Sequence, residues 1–220
     1  MVIILLGPPG AGKGTIANEI KKENDIPIIS TGDILRDAIK KGTELGKEAQ
    51  SYVNSGKLVP DCLIMKIIEE RVKKEDCING FMLDGFPRTI QQAEELDLLM
   101  QRLKNEINQV FYFKTSDNII INRLSSRRVC TKCKAIYNLN YNPPKNKNKC
   151  DKCGGQLIQR DDDKKETILK RLKVFKEETF PLVKFYKEKN ILTKINADRD
   201  LEYRLKDVTD RLEELGLINK

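Results

Sequence analysis

Apolar residues fall in two rhythms along this chain. Five short apolar runs, Val2–Leu6, Ile26–Ile29, Phe81–Leu83, Val110–Phe113 and Ile191–Ile195, are rich in branched and aromatic side chains. Runs this brief, with little polar alternation, predict strands covered on both faces. Longer polar stretches with helical spacing separate them, beginning with Ile16–Lys22. Asp61 is placed to cap a helix over Cys62–Lys73, and Ser116 to cap one over Asp117–Arg127. Thr89-Ile90-Gln91-Gln92 has capping-box form, with Gln92 as the reciprocal member. Gly56 stands just past a helical stretch over Glu44–Ser55, as a C′ residue does. The alternation predicts an α/β fold: five parallel strands flanked by helices on both faces.

Two segments interrupt the alternation. Ser30 to Val59 is helical and lies between the second and third strand-like runs. Arg127 to Asp163 is poor in helix signal and holds Asn138-Leu139-Asn140-Tyr141-Asn142-Pro143-Pro144 with four cysteines. Both read as insertions into one domain, whose core would be residues 1–29, 60–126 and 164–220. A chain of 220 residues is long enough for one such core.

The first strand runs into Gly7-Pro8-Pro9-Gly10-Ala11-Gly12-Lys13-Gly14-Thr15, and a helical pattern follows. Glycines at a strand-to-helix turn let backbone N–H groups converge, and the helix N-terminus adds partial positive charge. Lys13 adds a full charge, and Thr15 a hydroxyl suited to Mg²⁺. Taken alone, a Gly-rich turn can be merely a tight connection. The lysine directly after the loop glycine makes it a phosphate cradle. Gly14 occupies the place where the commonest form of this loop has Ser or Thr.

Charge and composition narrow the chemistry. No apolar run approaches the ~18 residues of a membrane span, and the N-terminal run reads as strand, not as a secretory signal. A cytoplasmic protein is expected. The formal charge of +8 fits a lysine-rich surface plus arginines serving phosphates. There is no histidine. Histidine triads and general bases are excluded, which leaves electrostatics, carboxylates, lysine, arginine or metal.

Cys130-x2-Cys133 and Cys150-x2-Cys153 are separated by sixteen residues. That spacing suits a four-thiolate zinc site, with disulfides or a redox pair as rival readings. Four protein ligands leave no place for water, so such a zinc would be structural. It would bring the formal charge to about +6. Cys62 and Cys77 read as ordinary small apolar residues.

Several further segments join these motifs. They are Thr31-Gly32-Asp33-Ile34-Leu35-Arg36, Gly56-Lys57-Leu58-Val59-Pro60-Asp61, Leu83-Asp84-Gly85-Phe86-Pro87-Arg88 with Gln92, Arg123, Arg127-Arg128, Ile136-Tyr137, Arg160-Asp161-Asp162 and Arg171. With the Gly-rich loop, this set resembles the adenylate kinases over nearly the whole chain, in their long-lid, zinc-holding form. The resemblance implies a P-loop NTPase-type core, with 30–59 as the monophosphate-binding insertion and 127–163 as the lid. It implies that Gly10, Ala11, Gly12, Lys13, Gly14 and Thr15 hold ATP phosphates. Arg123, Arg127, Ile136, Tyr137 and Arg199 would also contact ATP. Thr31, Arg36, Lys57, Leu58, Val59, Gly85, Phe86, Pro87, Arg88 and Gln92 would hold AMP, joined by Arg160 and Arg171. Lys13, Arg88, Arg123, Arg127, Arg160 and Arg171 would carry catalysis. Cys130, Cys133, Cys150 and Cys153 would bind one Zn²⁺, and Asp33 and Asp84 would hold water around Mg²⁺.

Such a protein would convert Mg·ATP and AMP into two ADP, as a monomer, with no nucleic-acid or membrane partner. Phosphoryl transfer needs positioning and charge neutralisation, which a histidine-free chain can supply. Two rival functions come from the same features. One is a kinase for UMP, CMP or another monophosphate, against which Thr31 and Gln92 favour adenine. The other is a nucleic-acid-binding zinc ribbon. That reading lacks stacking aromatics beyond Tyr137 and Tyr141 and leaves the Gly-rich loop unexplained.

Overall fold

In a computed structural model describing residues 1–218, β1 (Val2–Leu6) is buried along its whole length. Its side chains alternate between two apolar clusters. Val2, Ile4 and Leu6 enter one, with Phe81, Leu83, Val110 and Tyr112. Ile3 and Leu5 enter the other, with Met82, Phe111 and Phe113. The two clusters are the two faces of one sheet, which is why the run shows no polar alternation. The sequence places Asn219 and Lys220 in the core; both lie outside the described residues.

The parallel sheet holds β1, β2 (Ile28–Ser30), β3 (Phe81–Asp84), β4 (Gln109–Lys114) and a late strand, Leu192–Asn196. Its order is β2-β3-β1-β4 and then the late strand, all parallel. The chain lays β2 and β3 on one side of β1, then crosses to the other side for β4. The carboxyl end of β1 therefore opens at a topological switch point, where ligands bind in such sheets. The first predicted strand recurs at the same residues, and the other four have an end or both ends moved by one or two. Pro27 has no N–H to donate, and the second strand starts only after it.

Helix α1 (Lys13–Glu23) packs Ile16, Ala17 and Ile20 inward. The 30–59 segment is a helical hairpin of α2 (Thr31–Lys41) and α3 (Glu44–Ser55). Ser30 and Thr43 cap the two helices, and Gly42 and Gly56 end them in the left-handed region. A Cβ on Gly46 would lie 2.2 Å from the Ala38 carbonyl oxygen, so glycine is what lets the two helices touch. Next come α4 (Asp61–Val72), α5 (Ile90–Arg102) and α6 (Asp117–Ser125).

The 127–163 segment forms its own antiparallel sheet of β5 (Arg127–Cys130), β6 (Ile136–Asn138) and β7 (Leu157–Ile158), ordered β6-β5-β7. Helices α7 (Lys165–Val174) and α8 (Pro181–Glu188) are joined by a π-helical turn. The late strand is β8, and α9 (Leu201–Glu214) follows it. Among the described residues, no helix is long and apolar enough to cross a membrane.

Three sequence readings need correction. Pro60, not Asp61, is the N-cap of α4, because the Asp61 carboxylate is drawn to α5, where it accepts from Thr89 and Gln92. The helix from Asp117 stops at Ser125, and Arg127 begins a strand, so Arg123 and Arg127 do not share a helix face. Ser116 is at the N-cap of α6, but its hydroxyl takes no capping hydrogen bond.

Candidate active site

After Leu6 the chain turns through Gly7, Gly10 and Gly12, at φ 150°, 82° and 91°. Helix α1 starts at Lys13, three residues before the predicted Ile16, so Lys13, Gly14 and Thr15 form its first turn. Unpaired N–H groups of a first turn make an anion site. Lys13 Nζ donates to the carbonyls of Gly7 and Pro8 at 2.8 and 2.9 Å. Desolvation pulls the Lys13 pKa down to about 8; Asp84 opposes this, and Arg88, Arg171 and Arg127 add to it. Burial pushes Asp84 above the usual carboxylate range, with Lys13 opposing and Asp33 adding. A Cβ at Gly14 would lie 3.1 Å from Asp84 Oδ2, so glycine leaves room for that carboxylate. Ala11 is buried and Thr15 is exposed.

In front of this loop, arginines and aspartates interleave. Arg36 and Asp33, one turn apart on α2, pair at 2.7 Å. Arg160 reaches Asp33 at 3.6 Å, and Arg36 reaches Asp162 at 3.9 Å. Arg171, on α7, meets Asp162 at 3.0 Å and Asp163 at 3.5 Å. Arg127 grips the fully buried Asp163 with Nε and Nη2, at 2.8 and 2.6 Å. Desolvation pushes Asp33 and Asp162 up, but the arginine charges outweigh it and hold both below the usual range. Burial and neighbouring arginines bring Arg88 and Arg160 down to about 10. Lys13, Arg36, Arg88, Arg127, Arg160 and Arg171 thus face Asp33, Asp84, Asp162 and Asp163, an excess of cations suited to an anionic ligand.

The predicted AMP residues gather around the end of β3. Thr31 is buried and its hydroxyl donates to the Gly85 carbonyl at 2.9 Å. Arg88 Nε donates to the same carbonyl at 2.7 Å. Gln92 is buried, with both polar ends engaged. Its Oε1 accepts from the Arg88 N–H at 2.7 Å, and its Nε2 donates to Asp61 at 2.6 Å. The capping box is therefore half made. Thr89 accepts from the Gln92 N–H, but the reciprocal bond goes to Arg88. Phe86, Pro87 and Val59 are buried, Leu58 is partly buried and Lys57 is exposed.

Other sequence-picked residues make no ion pair with these aspartates within 4.0 Å among the described residues. Arg123 donates to the Ala197 carbonyl at 2.9 Å. Arg199 is exposed, pairs with Asp207 at 3.3 Å and lies 4.6 Å from the Tyr203 ring centroid. Ile136 is exposed, whereas the Tyr137 side chain is buried in the small sheet, its hydroxyl 3.5 Å from Cys150 Sγ. Sequence reasoning gave no role to Asp163 or Arg204. Arg204 falls at helical spacing with Val208 and Leu212 on the buried stripe of α9, and a charge on that stripe was the available signal.

The four cysteine sulfurs of the knuckles lie within 4.8 Å of one another. Tetrahedral zinc with Zn–S near 2.3 Å sets its sulfurs about 3.8 Å apart, so this donor set fits. Gly155 allows the approach, since a Cβ there would be 2.8 Å from Cys130 Sγ. The Tyr137 hydroxyl, as donor, brings the Cys150 pKa down to about 6 against its desolvation. A thiolate-favouring neighbour suits a metal ligand.

A family model for adenylate kinase matches residues 5–191. The chain belongs to the adenylate kinase family. The family's members are nucleoside monophosphate kinases, and this chain is an enzyme of that class. An adenylate kinase from Archaeoglobus fulgidus is 48% identical over 215 residues, covering 98% of this chain and 99% of its own. One from Oceanobacillus iheyensis is 49% identical over 213 residues, 97% of this chain and 99% of its own. One from Methanothrix thermoacetophila is 50% identical over 197 residues, 90% and 91% of the two chains.

Proposed function

We propose that the protein transfers the terminal phosphoryl group of Mg·ATP to AMP, reversibly, giving two ADP. The observation that carries this is the meeting, at the switch point of the sheet, of a Gly-rich loop with a cluster of arginines. In the transfer, the bond from the terminal phosphorus to ADP breaks and a bond to an AMP phosphate oxygen forms. That oxygen is already anionic near neutral pH, so no general base is needed. ATP and AMP together bring about six negative charges. Lys13, Arg88, Arg123, Arg127, Arg160 and Arg171 neutralise them, and bound phosphates oppose the burial that lowers the Lys13 pKa.

Gly10 to Thr15 hold the donor phosphates, with Arg123, Arg127 and the 136–137 and 199 positions around the nucleoside. Because the Tyr137 side chain points into the small sheet, its contact is through backbone. Thr31, Arg36, 57–59, 85–88 and Gln92 form the acceptor side. Asp33 and Asp84 fit as holders of water around Mg²⁺, which supplies charge neutralisation at the ATP phosphates. Cys130, Cys133, Cys150 and Cys153 hold one structural zinc.

Segments 30–59 and 127–163 close over AMP and ATP and keep water from accepting the phosphoryl group. Three links support this: Lys134–Asp37 at 2.9 Å, Arg160–Asp33 and Arg36–Asp162 all join the two segments. The protein acts as a cytoplasmic monomer, without nucleic-acid or membrane partners.

A coupled ADP-formation assay with Mg·ATP and AMP, CMP, UMP or GMP tests the reaction. AMP is expected to give the highest kcat/KM, since unpaired polar groups penalise the wrong base. Equal values for AMP and UMP would overturn the acceptor assignment, and no ADP from any acceptor would overturn the reaction. Label-to-label distances between 127–163 and the core should shorten with a bisubstrate dinucleotide inhibitor. An unchanged distribution with inhibitor bound argues against closure.

A further inference from the structure

Resting on the reading of the Gly-rich loop as the ATP cradle, we propose that Arg204 is a positioning residue for the donor nucleotide, bracing the Ala11–Gly12 peptide from behind. Arg204 lies on α9, far from the loop in sequence, and is only 8% exposed. Its Nη1 donates to the Ala11 carbonyl at 3.4 Å, and its Nε to the Asp200 carbonyl at 3.3 Å. Among the described residues it makes no ion pair with a carboxylate within 4.0 Å. A buried guanidinium held by carbonyls alone is costly for a purely structural part, because a nonpolar side chain would fill the same stripe more cheaply.

The loop is shaped around it. A Cβ on Gly12 would lie 2.5 Å from Arg204 Nη1. The missing side chain of Gly12 is therefore the space the guanidinium occupies. Gly12 is also the N-cap of α1, at φ 91°. A trans peptide points its C=O and N–H in opposite directions. Fixing the Ala11 carbonyl toward Arg204 turns the Gly12 N–H the other way, toward the cradle. The charge-assisted bond also polarises that peptide and makes its N–H a stronger donor. Burial lowers the Arg204 pKa, with Arg123 adding to the effect and Asp200 opposing. Anionic phosphates beyond the loop offset that cost, so the benefit of Arg204 appears when ATP is bound.

The test compares Arg204→Met and Arg204→Lys with the wild type. Titration calorimetry measures binding of the β,γ-imido analogue of ATP and, separately, of AMP, with melting curves for each free protein. Arg204→Met should weaken the ATP analogue about tenfold and leave AMP within about twofold, and its free Tm should equal or exceed that of the wild type. Arg204→Lys keeps the charge without the fork and should lose about threefold on the ATP analogue only. If Arg204→Met does not fold, Arg204→Lys decides. Equal loss for both nucleotides, or no loss for either, overturns the inference. Wild-type protein that binds no ATP analogue overturns the reading of the loop, and the brace with it.

Discussion

The sheet core and the 127–163 segment sit on either side of the same site but are built differently. The core surrounds β1 with two apolar clusters, drawn from all five parallel strands and the helices that cover them. The small sheet has a cluster of Cys130, Tyr137, Cys150 and Leu157, and two of those four are cysteines. Burial of apolar area orders the first without help. The second has only this small cluster, and the four sulfurs lie close enough together for one metal ion to tie it. The core can therefore place reacting groups directly. The small sheet carries Arg127 and leads to Arg160, and under the zinc reading proposed above it would hold them as one stiff body.

The largest separation of the two regions should come from Lys13→Met. Turnover is expected to fall more than about a hundredfold, with zinc content unchanged at one per chain, because a lost transition-state charge contact costs several kcal/mol. Near-normal turnover in folded Lys13→Met protein would remove Lys13 from catalysis.

Zinc removal by a chelator is the converse. Metal at about a hundred times its Kd is worth about 2.7 kcal/mol, so Tm should fall by roughly 5–10 °C. Proteolytic nicks should concentrate within 127–163. Nicks spread evenly through the core would contradict the division of labour.

A third test addresses only the core. With Lys13 at about pKa 8 when folded and 10.5 unfolded, both states hold the proton below pH 8. Between those values only the unfolded chain holds it, so this group makes stability rise with pH across that window. Bound phosphates favour the charged form. Binding of the ATP analogue above about pH 8 should therefore take up a proton, seen by calorimetry in buffers of different ionisation heat. Lys13→Met should abolish the uptake; persistence of it would reassign the titrating group.

The smallest effect concerns the link between the regions. Lys134→Ala removes an exposed pair, worth about 0.2–1 kcal/mol. The closed population in a distance measurement should drop by at most about fivefold, and high salt should mimic the variant. A larger drop that persists in high salt would mean that Lys134 does more than pair with Asp37.

Much of this was legible in the chain because local chemistry dictated it. The apolar runs marked all five parallel strands, since strands covered on both faces must be apolar throughout. Gly10-x-Gly12-Lys13 marked the cradle, and the cysteine spacing marked the knuckles. What stayed hidden depended on distant partners. Asp61 looked like a cap because its real partners, Thr89 and Gln92, are about thirty residues away. Arg127 looked helical because nothing local says that Ser126 ends the helix; Ser126 turns instead to Asn122 and Asn138. Strand order depends on which strands pair across the sheet, and no single run carries that. Arg204 looked like one more charge on a helix of mixed charges.

Helix α2 carries Thr31, Asp33 and Arg36 on the side of the proposed acceptor site, and Asp37 meets Lys134 of the 127–163 segment. Its eleven residues span about 16 Å, and Gly46 holds it directly against α3. Such a body works as a lever. Thr31 and Asp37 lie on one continuous helix, so a pull on Asp37 by Lys134 meets no break before Thr31. A displacement of the 127–163 segment felt through Lys134 would thus be carried along α2 to its Thr31 end.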